Sequence, residues 1–268
     1  MLLLNTACAD VRKGDTLTVM SYNIRNSKAQ DGENAWDERK DATAEMLDKV
    51  NPDIFGVQEA YPNQVSFITE RCPRYIPFGV GRDDGIEKGE HMSIFYNSEA
   101  IEMLDGGTYW LSETPDVPSK GWDAACRRTA TWALLKDRDS QRCFFFVNTH
   151  LDHKGVEARR KGLALIVERI AGMNAEGYPM VLTGDFNVTP YDSALVDLDV
   201  MMKSARATAS VTDDRPSFNG FNLFEPSIID YIYYSGFADC TEFKVLTDQY
   251  AGKPFISDHY PVVSTLVY

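Results

Sequence analysis

The sequence predicts a layered α/β fold, in which two β-sheets pack face to face and helices cover their outer surfaces. Three observations favour this class. The chain has 268 residues, 44% of them hydrophobic, which is enough for one large core. Strand-like and helix-like segments alternate along it, and each half contains several strands and one clear helix. Elements mixed in this way bury their apolar faces in stacked layers.

The first half begins with a strand and a helix. Residues 16–24 are rich in β-branched and aromatic side chains, which predicts a strand. A helix is predicted next, because the following residues recur at roughly helical spacing: Trp36, Thr43, Met46, Leu47 and Val50. Further apolar runs, separated by loops rich in Gly, Pro and charged residues, predict strands at residues 52–60, 91–97, 130–137 and 143–151.

The second half begins with a change of period. Apolar residues at i, i+3, i+4 and i+7 predict a surface helix with one buried face: Leu163, Ile166, Val167 and Ile170. The strand pattern then returns in four runs, at residues 178–187, 227–236, 241–248 and 261–268. No Pro/Gly/Ser-rich linker, internal repeat or continuous apolar run of membrane-spanning length interrupts the chain, so we predict one domain over residues 11–268.

The N-terminal segment, residues 1–10, stands apart from this domain. It combines a short apolar run with Ala7, Cys8 and Ala9, which resembles a signal-peptidase site, but it lacks a basic region. Two interpretations stay open, a remnant of an export signal with Cys8 as a lipid-attachment site, or a disordered N-terminus. We expect export to the periplasm, the cell surface or the medium, with the cytoplasm as the alternative.

The other cysteines do not form a metal-binding motif. They have no C-x-x-C spacing, and several lie in strand-like runs where a buried free thiol is expected: Cys72, Cys126, Cys143 and Cys240. The net charge of −13 argues against a protein that holds long nucleic acids on a broad basic face. It leaves a small phosphate-binding cleft open, because a divalent metal can neutralise the local charge.

Six strand-like runs carry polar side chains where they end. These side chains are Asn23, Glu59, the group Asn148, His150 and Asp152, the pair Asp185 and Asn187, Asp230, and the pair Asp258 and His259. Each one alone is explained as a turn former, a cap or a surface residue. Together they require another explanation, because burying so many polar groups without partners costs roughly several kcal/mol each. A metal ion and a phosphate in one cleft would supply those partners.

The residue types indicate hydrolysis of a phosphate ester. Oxygen ligands such as the Glu59 carboxylate and the Asn23 carbonyl suit Mg²⁺ or Mn²⁺. A carboxylate near the phosphorus orients and deprotonates water, and amides and imidazoles donate hydrogen bonds to the developing negative charge. Asp185 and Asn187 are predicted to share one face of an extended segment. His259 is predicted to point away from Asp258 and to pair with Asp230.

The motifs resemble one superfamily over nearly the whole chain. "SYNIR" from Ser21, "QE", "NTH", "GDFN" and "SDHYP" ending at Pro261 occur in the order found in the endonuclease/exonuclease/phosphatase superfamily. This superfamily includes deoxyribonuclease I, abasic-site endonucleases, sphingomyelinases, inositol-polyphosphate 5-phosphatases and poly(A) deadenylases. Residues 81–96 and 126–135 are most similar to the deadenylase-like branch and its bacterial relatives. The resemblance implies a four-layered α/β sandwich and a divalent-metal phosphohydrolase.

The resemblance also implies roles for individual residues. The metal ligands would be Glu59, Asn23 and Asp258. The catalytic set would be Asp185, which orients the attacking water, Asn187 and His150, which contact phosphate, and His259 with its partner Asp230. The substrate side would include Arg82, His91 and Arg127, and Asn148 is added to it as a polar strand end. Asp152 and His153 are left outside the set.

The sequence therefore predicts a monomeric hydrolase that uses Mg²⁺ or Mn²⁺ and needs no stable protein partner. Phosphodiester cleavage is the favoured reaction, with an exonuclease-like action on short nucleic acids. One alternative is a phosphomonoesterase or phosphodiesterase acting on a small molecule, such as an inositol phosphate, a sugar phosphate or a phospholipid head group. The other is a non-catalytic binding protein on the same fold. Loops set the substrate in such folds, so the shared motifs do not identify it.

Overall fold

The computed structural model describes residues 15–268, so the predicted export remnant at residues 1–10 and Cys8 lie outside the described residues. The strands are β1 (Thr16–Asn23), β2 (Ile54–Gln58), β3 (Tyr75–Phe78), β4 (Ile94–Asn97), β5 (Ile101–Trp110), β6 (Thr129–Asp137), β7 (Cys143–His150), β8 (Met180–Asp185), β9 (Lys203–Ser204), β10 (Asp230–Ser235), β11 (Asp239–Val245) and β12 (Val262–Val267). The helices are α1 (Trp36–Val50), α2 (Pro62–Arg71), α3 (Val156–Met173), α4 (Val196–Met201) and α5 (Ala205–Thr208).

Two mixed sheets of six strands each form the centre of the molecule. The first sheet has the order β11-β12-β1-β2-β4-β3, and the second has the order β5-β6-β7-β8-β10-β9. Side chains from both sheets meet in one buried cluster that includes Val19, Ile54, Phe146, Val181 and Ile232. The sheets therefore pack face to face, as the sequence predicts.

Helices cover the outer face of each sheet. Met46 and Leu47 of α1 pack with Met20 and Phe55 of the first sheet. On the second sheet, α3 residues such as Leu163 and Ile166 pack with Val147 and Leu182 in the same way. Helix, sheet, sheet and helix make four layers, which confirms the predicted fold class. None of the helices between residues 15 and 268 combines the length and the hydropathy that crossing a bilayer requires.

Alternation along each strand decides which side chains face the other sheet. In β1, Leu17 and Val19 face the second sheet, whereas Met20 and Tyr22 face the helices. In β7, Phe144 and Phe146 face the first sheet. The same two-residue period, continued to the ends of these strands, points polar side chains into the rim between the sheets. This period is what positions the site described next.

Six elements escape the sequence prediction: α2, β3, β5, α4, β9 and α5. The last three have only six, two and four residues, too few for a clear periodic pattern, and the first three have other local reasons. β5 is an edge strand that contains the glycine pair Gly106 and Gly107, so its alternating pattern is weak. β3 has only four residues and includes Pro77. α2 begins with Pro62 at its first turn and buries only two side chains, which leaves no clear apolar stripe.

Candidate active site

Three titratable side chains lie in a row across the second sheet. β7 and β8 are parallel and pair His150 with Asp185, while β8 and β10 are antiparallel and pair Asp185 with Asp230. Each lies an even number of residues from a core residue of its own strand, such as Val181 in β8, and therefore faces the first sheet as that core residue does. His150, Asp185 and Asp230 are all buried. Sheet register therefore brings together groups that are far apart in sequence.

The first sheet contributes Asn23 and Glu59 to the same rim. Asn23 is the last residue of β1, and its Nδ2 donates to Glu59 Oε1 at 3.2 Å and to Asp185 Oδ2 at 3.0 Å. Its Oδ1 accepts a hydrogen bond from the Arg25 N–H at 3.0 Å. The amide nitrogen thus faces the two carboxylates and links the sheets. The carbonyl oxygen is turned to the backbone, and the role of Asn23 as a metal ligand stays a prediction.

Glu59 reaches the rim through a backbone reversal. By alternation it would follow Phe55 and Val57 towards α1, but it has a left-handed conformation with φ of 65°. Asn26 donates to Glu59 Oε2 from its backbone at 3.1 Å and from its side chain at 2.9 Å. Burial raises the pKa of Glu59, but the Asn26 hydrogen bond and nearby positive charges outweigh it and lower the pKa overall. The carboxylate is therefore held ionised.

His259 pairs with Asp230, the partner that the sequence predicts. Its Nδ1 donates to Asp230 Oδ2 at 2.8 Å, and its Nε2 lies 3.7 Å from Asp185 Oδ2. Burial disfavours the charged imidazole, but Asp230 and then Asp185 outweigh burial and raise the pKa of His259 to about 10. Burial, with a contribution from Asp230, raises the pKa of Asp185 to about 7. A protonated imidazole therefore lies beside a carboxyl group that titrates near neutrality.

Asn187 joins this group by a turn and not by an extended segment. β8 ends at Asp185, and Asn187 has a left-handed φ of 53°, so the predicted extended geometry is wrong. The turn lets the Asn187 N–H donate to Asp185 Oδ1 at 2.9 Å. Its side-chain Nδ2 lies 3.0 Å from His150 Nε2. Burial, followed by the positive charge of Arg128, holds the pKa of His150 well below its usual range, so this imidazole is neutral.

Asp258 lies at the edge of the same cleft next to Arg25. Arg25 Nη1 is 3.5 Å from Asp258 Oδ2, and the same guanidinium donates to both carboxylate oxygens of Asp31 at 2.9 and 3.0 Å. Burial raises the pKa of Asp258, and the negative charge of Glu59 adds to this effect. Asp258 therefore shares the guanidinium of Arg25 with Asp31 and lies near the carboxylate of Glu59.

Most of these residues line a cleft of about 660 Å³, namely Glu59, His150, Asp185, Asn187, Asp258 and His259. We call one part of its lining the apolar rim, which consists of Phe218, Phe221, Leu223 and Phe224. The segment that carries the apolar rim is held beside Asp258, because the N–H groups of Asn219 and Gly220 both donate to Asp258 O. Leu223 is 76% exposed and Phe224 is 68% exposed, although both are large apolar side chains. Such exposure at a cleft is typical of a surface that binds a ligand.

A second part of the lining, which we call the arginine wall, consists of Arg82, Glu90, Arg128 and His153. Arg82 Nη1 donates to Glu90 Oε2 at 2.5 Å. Arg128 Nε donates to the buried Asp152 at 3.3 Å, and its Nη2 is 3.0 Å from His153 Nδ1. Each guanidinium on this wall therefore has one carboxylate partner.

Two of the predicted substrate-side residues do not line the cleft. Arg127 is exposed, and its nearest recorded carboxylate is Asp83 at 3.8 Å. Arg128 occupies the buried position instead, because neighbouring residues at the start of β6 point to opposite sides. His91 is buried, and its ring contacts the Glu87 carbonyl at 3.2 Å. Arg82 does line the cleft, as expected.

Asn148 is also corrected, because it lies between the sheets. It shares the inward phase of Phe144 and Phe146, and its Nδ2 donates to Val57 O at 2.7 Å and to Ser93 O at 3.1 Å. Its Oδ1 accepts from Gln58 Nε2 at 2.7 Å. These contacts join the two sheets behind the cleft and give Asn148 a structural role.

The correction leads to a stability prediction. Asn148→Ala is expected to lower the free energy of unfolding by about 2–4 kcal/mol, because several buried hydrogen-bond partners lose their acceptor or donor. Urea denaturation measures this change. Arg127→Ala serves as the control, with an expected change below about 0.5 kcal/mol. An Asn148→Ala protein of normal stability would show that the inter-sheet contacts are unimportant.

Several cleft residues escaped the sequence analysis. Arg25, Asn26 and Asp31 follow the predicted strand end, and only their three-dimensional contacts with Glu59 and Asp258 place them in the site. The apolar rim had a signal that was not used. Aromatic residues recur every three residues in "FNGFNLF" among turn-forming Asn and Gly, which is unusual for a buried segment.

The site's carboxylates fit a hard divalent cation. Glu59 and Asp258 supply oxygen donors, and Asp185 and Asp230 add further negative charge nearby. Ligand atoms of Asp185, Asp230 and His259 lie within 4.8 Å of one another. Burial is the largest cause of the raised pKa values of Asp185 and Asp258, and the neighbouring carboxylates add to it. A divalent cation in the cleft would stabilise these carboxylates in their ionised form.

Cys126, Asp152 and His153 also lie within 4.8 Å of one another, but they do not fit a metal. The guanidinium of Arg128 contacts Asp152 and His153 from within this group. Backbone N–H groups of Lys154 and Gly155 occupy the other oxygen of Asp152. A cation there would meet a positive charge and a carboxylate that is already satisfied.

A four-layered sandwich with carboxylates and imidazoles gathered at one rim defines a class of hydrolase that acts on phosphate esters. The chain belongs to the Endonuclease/Exonuclease/phosphatase family, whose sequence profile matches residues 20–259. Members of this family are generally phosphoester hydrolases.

Known proteins resemble the chain with different degrees of sequence identity and structural similarity. A mannosyl-6-phosphatase from Bacteroides thetaiotaomicron is 36% identical with a TM-score of 0.89, and the match covers 94% of this chain and 100% of that one. An uncharacterised protein of Acanthamoeba polyphaga mimivirus is 26% identical, and the match covers 85% of this chain and 91% of the viral protein. The human Nocturnin catalytic domain is 20% identical with a TM-score of 0.73, covering 96% and 94% of the two chains. The last likeness concerns the fold.

Proposed function

We propose that the protein is a divalent-metal-dependent phosphohydrolase that removes phosphate from a phosphorylated sugar or a molecule of similar size. The lining of the cleft carries this proposal. Its apolar rim suits the hydrocarbon face of a sugar ring, and its arginine wall suits hydroxyl groups. The likeness to a mannosyl-6-phosphatase, at 36% identity over nearly the full length of both chains, supports the same conclusion.

The charges around the cleft disfavour a long polyanion. Each of the three arginines that line the cleft is paired with a carboxylate: Arg25 with Asp31, Arg82 with Glu90, and Arg128 with Asp152. The walls are therefore close to neutral, and the whole chain has a net charge of −13. Binding a long nucleic acid depends on unbalanced positive charge along its phosphates. A small substrate with one phosphate does not need such a surface.

The chemistry follows from the positions of the side chains. Mg²⁺ or Mn²⁺ held by Glu59 and Asp258 would stabilise negative charge on the phosphoryl group. Asp185, with a pKa near 7, orients a water molecule and accepts its proton. The protonated ring of His259 donates a hydrogen bond to a phosphate oxygen, and Asp230 holds that ring in place.

A nuclease acting on short nucleic acids is the second candidate. The apolar rim supports it, because exposed aromatic side chains stack on nucleobases as well as on sugars. Phosphodiester cleavage would use the same Asp185 and His259. The two candidates differ in the substrate that the cleft accepts and in whether inorganic phosphate is released.

An activity panel separates the candidates. The panel contains hexose 6-phosphates, inositol phosphates, bis-p-nitrophenyl phosphate, short oligonucleotides and sphingomyelin, each with Mg²⁺ and with Mn²⁺. We expect the highest kcat/KM with a hexose phosphate and stoichiometric release of inorganic phosphate. A higher kcat/KM with oligonucleotides, and none with sugar phosphates, would replace the first candidate by the second.

The apolar rim gives a prediction of its own. The double variant Leu223→Ala/Phe224→Ala is expected to raise KM for the best substrate about tenfold, with kcat changed much less, because binding loses apolar contact area. Steady-state kinetics measures both constants. Val200→Ala is the control, since Val200 is 83% exposed on α4 and does not line the cleft. An unchanged KM in the double variant would exclude the rim from substrate binding.

A further inference from the structure

A buried arginine in the cleft has one donor that no described residue accepts. Arg128 is 5% exposed, lines the cleft and directly precedes β6. Its Nε and Nη2 contact Asp152 and His153, whereas its Nη1 has no hydrogen-bond partner among residues 15–268. A buried donor without an acceptor is unfavourable, and a charged donor more so. Arg128 is therefore prepared to receive an oxygen atom from a ligand.

The surroundings of Arg128 hold its side chain in one orientation. Asp152 accepts hydrogen bonds from the backbone N–H groups of Cys126 at 3.1 Å, Lys154 at 2.9 Å and Gly155 at 2.8 Å. Although burial opposes it, these hydrogen bonds keep the pKa of Asp152 well below its usual range. A fixed, ionised carboxylate thus positions the guanidinium.

Arg128 lines the same cleft as His150, the imidazole that we expect to contact the phosphate. Its positive charge is, after burial, the largest cause of the lowered pKa of His150. His150 in turn contacts Asn187, which is hydrogen-bonded to Asp185. The field of the guanidinium therefore acts where the substrate's phosphate would bind.

We infer that Arg128 determines specificity for phosphate monoesters over diesters, by donating from Nη1 to the third unesterified phosphate oxygen, which a diester lacks. A terminal phosphate carries a charge of about −1.5 to −2 at pH 7, whereas a diester carries only one negative charge. The third, charged oxygen needs an additional fixed hydrogen-bond donor, and the unpartnered Nη1 of Arg128 would supply it. Asp152 is a positioning residue in this scheme. The inference rests on the proposed phosphomonoesterase function and names the group that would select such substrates.

Binding measurements on Arg128→Gln test the inference. We expect the dissociation constant for inorganic phosphate, measured by calorimetry with Mg²⁺ present, to rise about 10- to 100-fold. The constant for dimethyl phosphate, a diester probe, should change less than about threefold. Arg128→Lys keeps the charge but not the geometry and should fall between wild type and Arg128→Gln. Arg127→Gln removes the same charge one residue away and should affect both probes equally.

Controls on folding and activity keep the outcomes distinct. Arg128→Gln should fold normally, because Asp152 keeps its backbone hydrogen bonds, and thermal unfolding checks this. Equal weakening of both probes, or unchanged phosphate binding in a folded variant, would overturn the inference. Failure of the wild type to release phosphate from any sugar phosphate would instead overturn the proposed function, while the binding data would still decide the role of Arg128.

Discussion

Replacing Asp185 by asparagine is expected to lower kcat about 100- to 10,000-fold, with little change in the thermal midpoint. The carboxylate is 2% exposed, lies 3.7 Å from His259 Nε2 and has its pKa raised to about 7, mainly by burial. In the proposed mechanism it accepts a proton from water near neutral pH, which asparagine cannot do. Phosphate release under saturating substrate measures the change. Asp197→Asn, an exposed carboxylate on α4, is the control and should retain normal activity.

His259→Ala should cause a loss of similar size, and the double variant should lose much less than the product of the two single losses. The reason is that, in the proposed mechanism, the imidazole and the carboxylate act on one transition state. Asp230→Asn should have a smaller effect, because it removes the partner of His259 Nδ1 and not a group that contacts the phosphate. Multiplicative losses, or near-normal activity in His259→Ala, would refute this assignment.

Glu59→Gln is expected to lower activity at least about 100-fold and to abolish stabilisation by Mg²⁺. Glu59 adopts a left-handed backbone conformation and receives two hydrogen bonds from Asn26, which hold an ionised carboxylate in the cleft. Its natural partner is a cation. The thermal midpoint of the wild type should therefore rise with added Mg²⁺, and that of Glu59→Gln should not.

Metal removal extends this prediction. Excess EDTA should abolish wild-type activity, and Mg²⁺ or Mn²⁺ should restore it. Glu33→Gln, an exposed carboxylate in the segment before α1, should behave as wild type in both assays. Undiminished turnover in excess EDTA would show that the Glu59 and Asp258 carboxylates do not hold a metal ion needed for catalysis.

The fold and much of the candidate site were predictable because one pattern determines both. The two-residue alternation that buries Val19, Phe146 and Val181 between the sheets also brings Asn23, His150 and Asp185 to the rim. Burying polar side chains without partners at the ends of strands costs free energy, so their repeated occurrence there indicates a functional site in the sequence.

The remaining site residues depend on backbone reversals and on contacts across the chain. Glu59 enters the cleft only because its φ is positive, and Asn187 does so by a turn that an extended chain does not predict. Arg127 and Arg128 are adjacent in the sequence, so the direction in which each side chain points at the start of β6 decides which one is buried. Asn148 resembles a site residue in sequence, but its hydrogen bonds are to the opposite sheet.

Hydrolysis in ¹⁸O-labelled water tests the central claim most directly. Wild-type protein is incubated with Mg²⁺ and a hexose 6-phosphate, and the released phosphate is examined by ³¹P NMR. If Asp185 directs water to the phosphorus atom, each phosphate released should contain one ¹⁸O atom from solvent, and Asp185→Asn should release almost none. Label found in the sugar, or no phosphate release under conditions in which the protein is folded, would contradict the account.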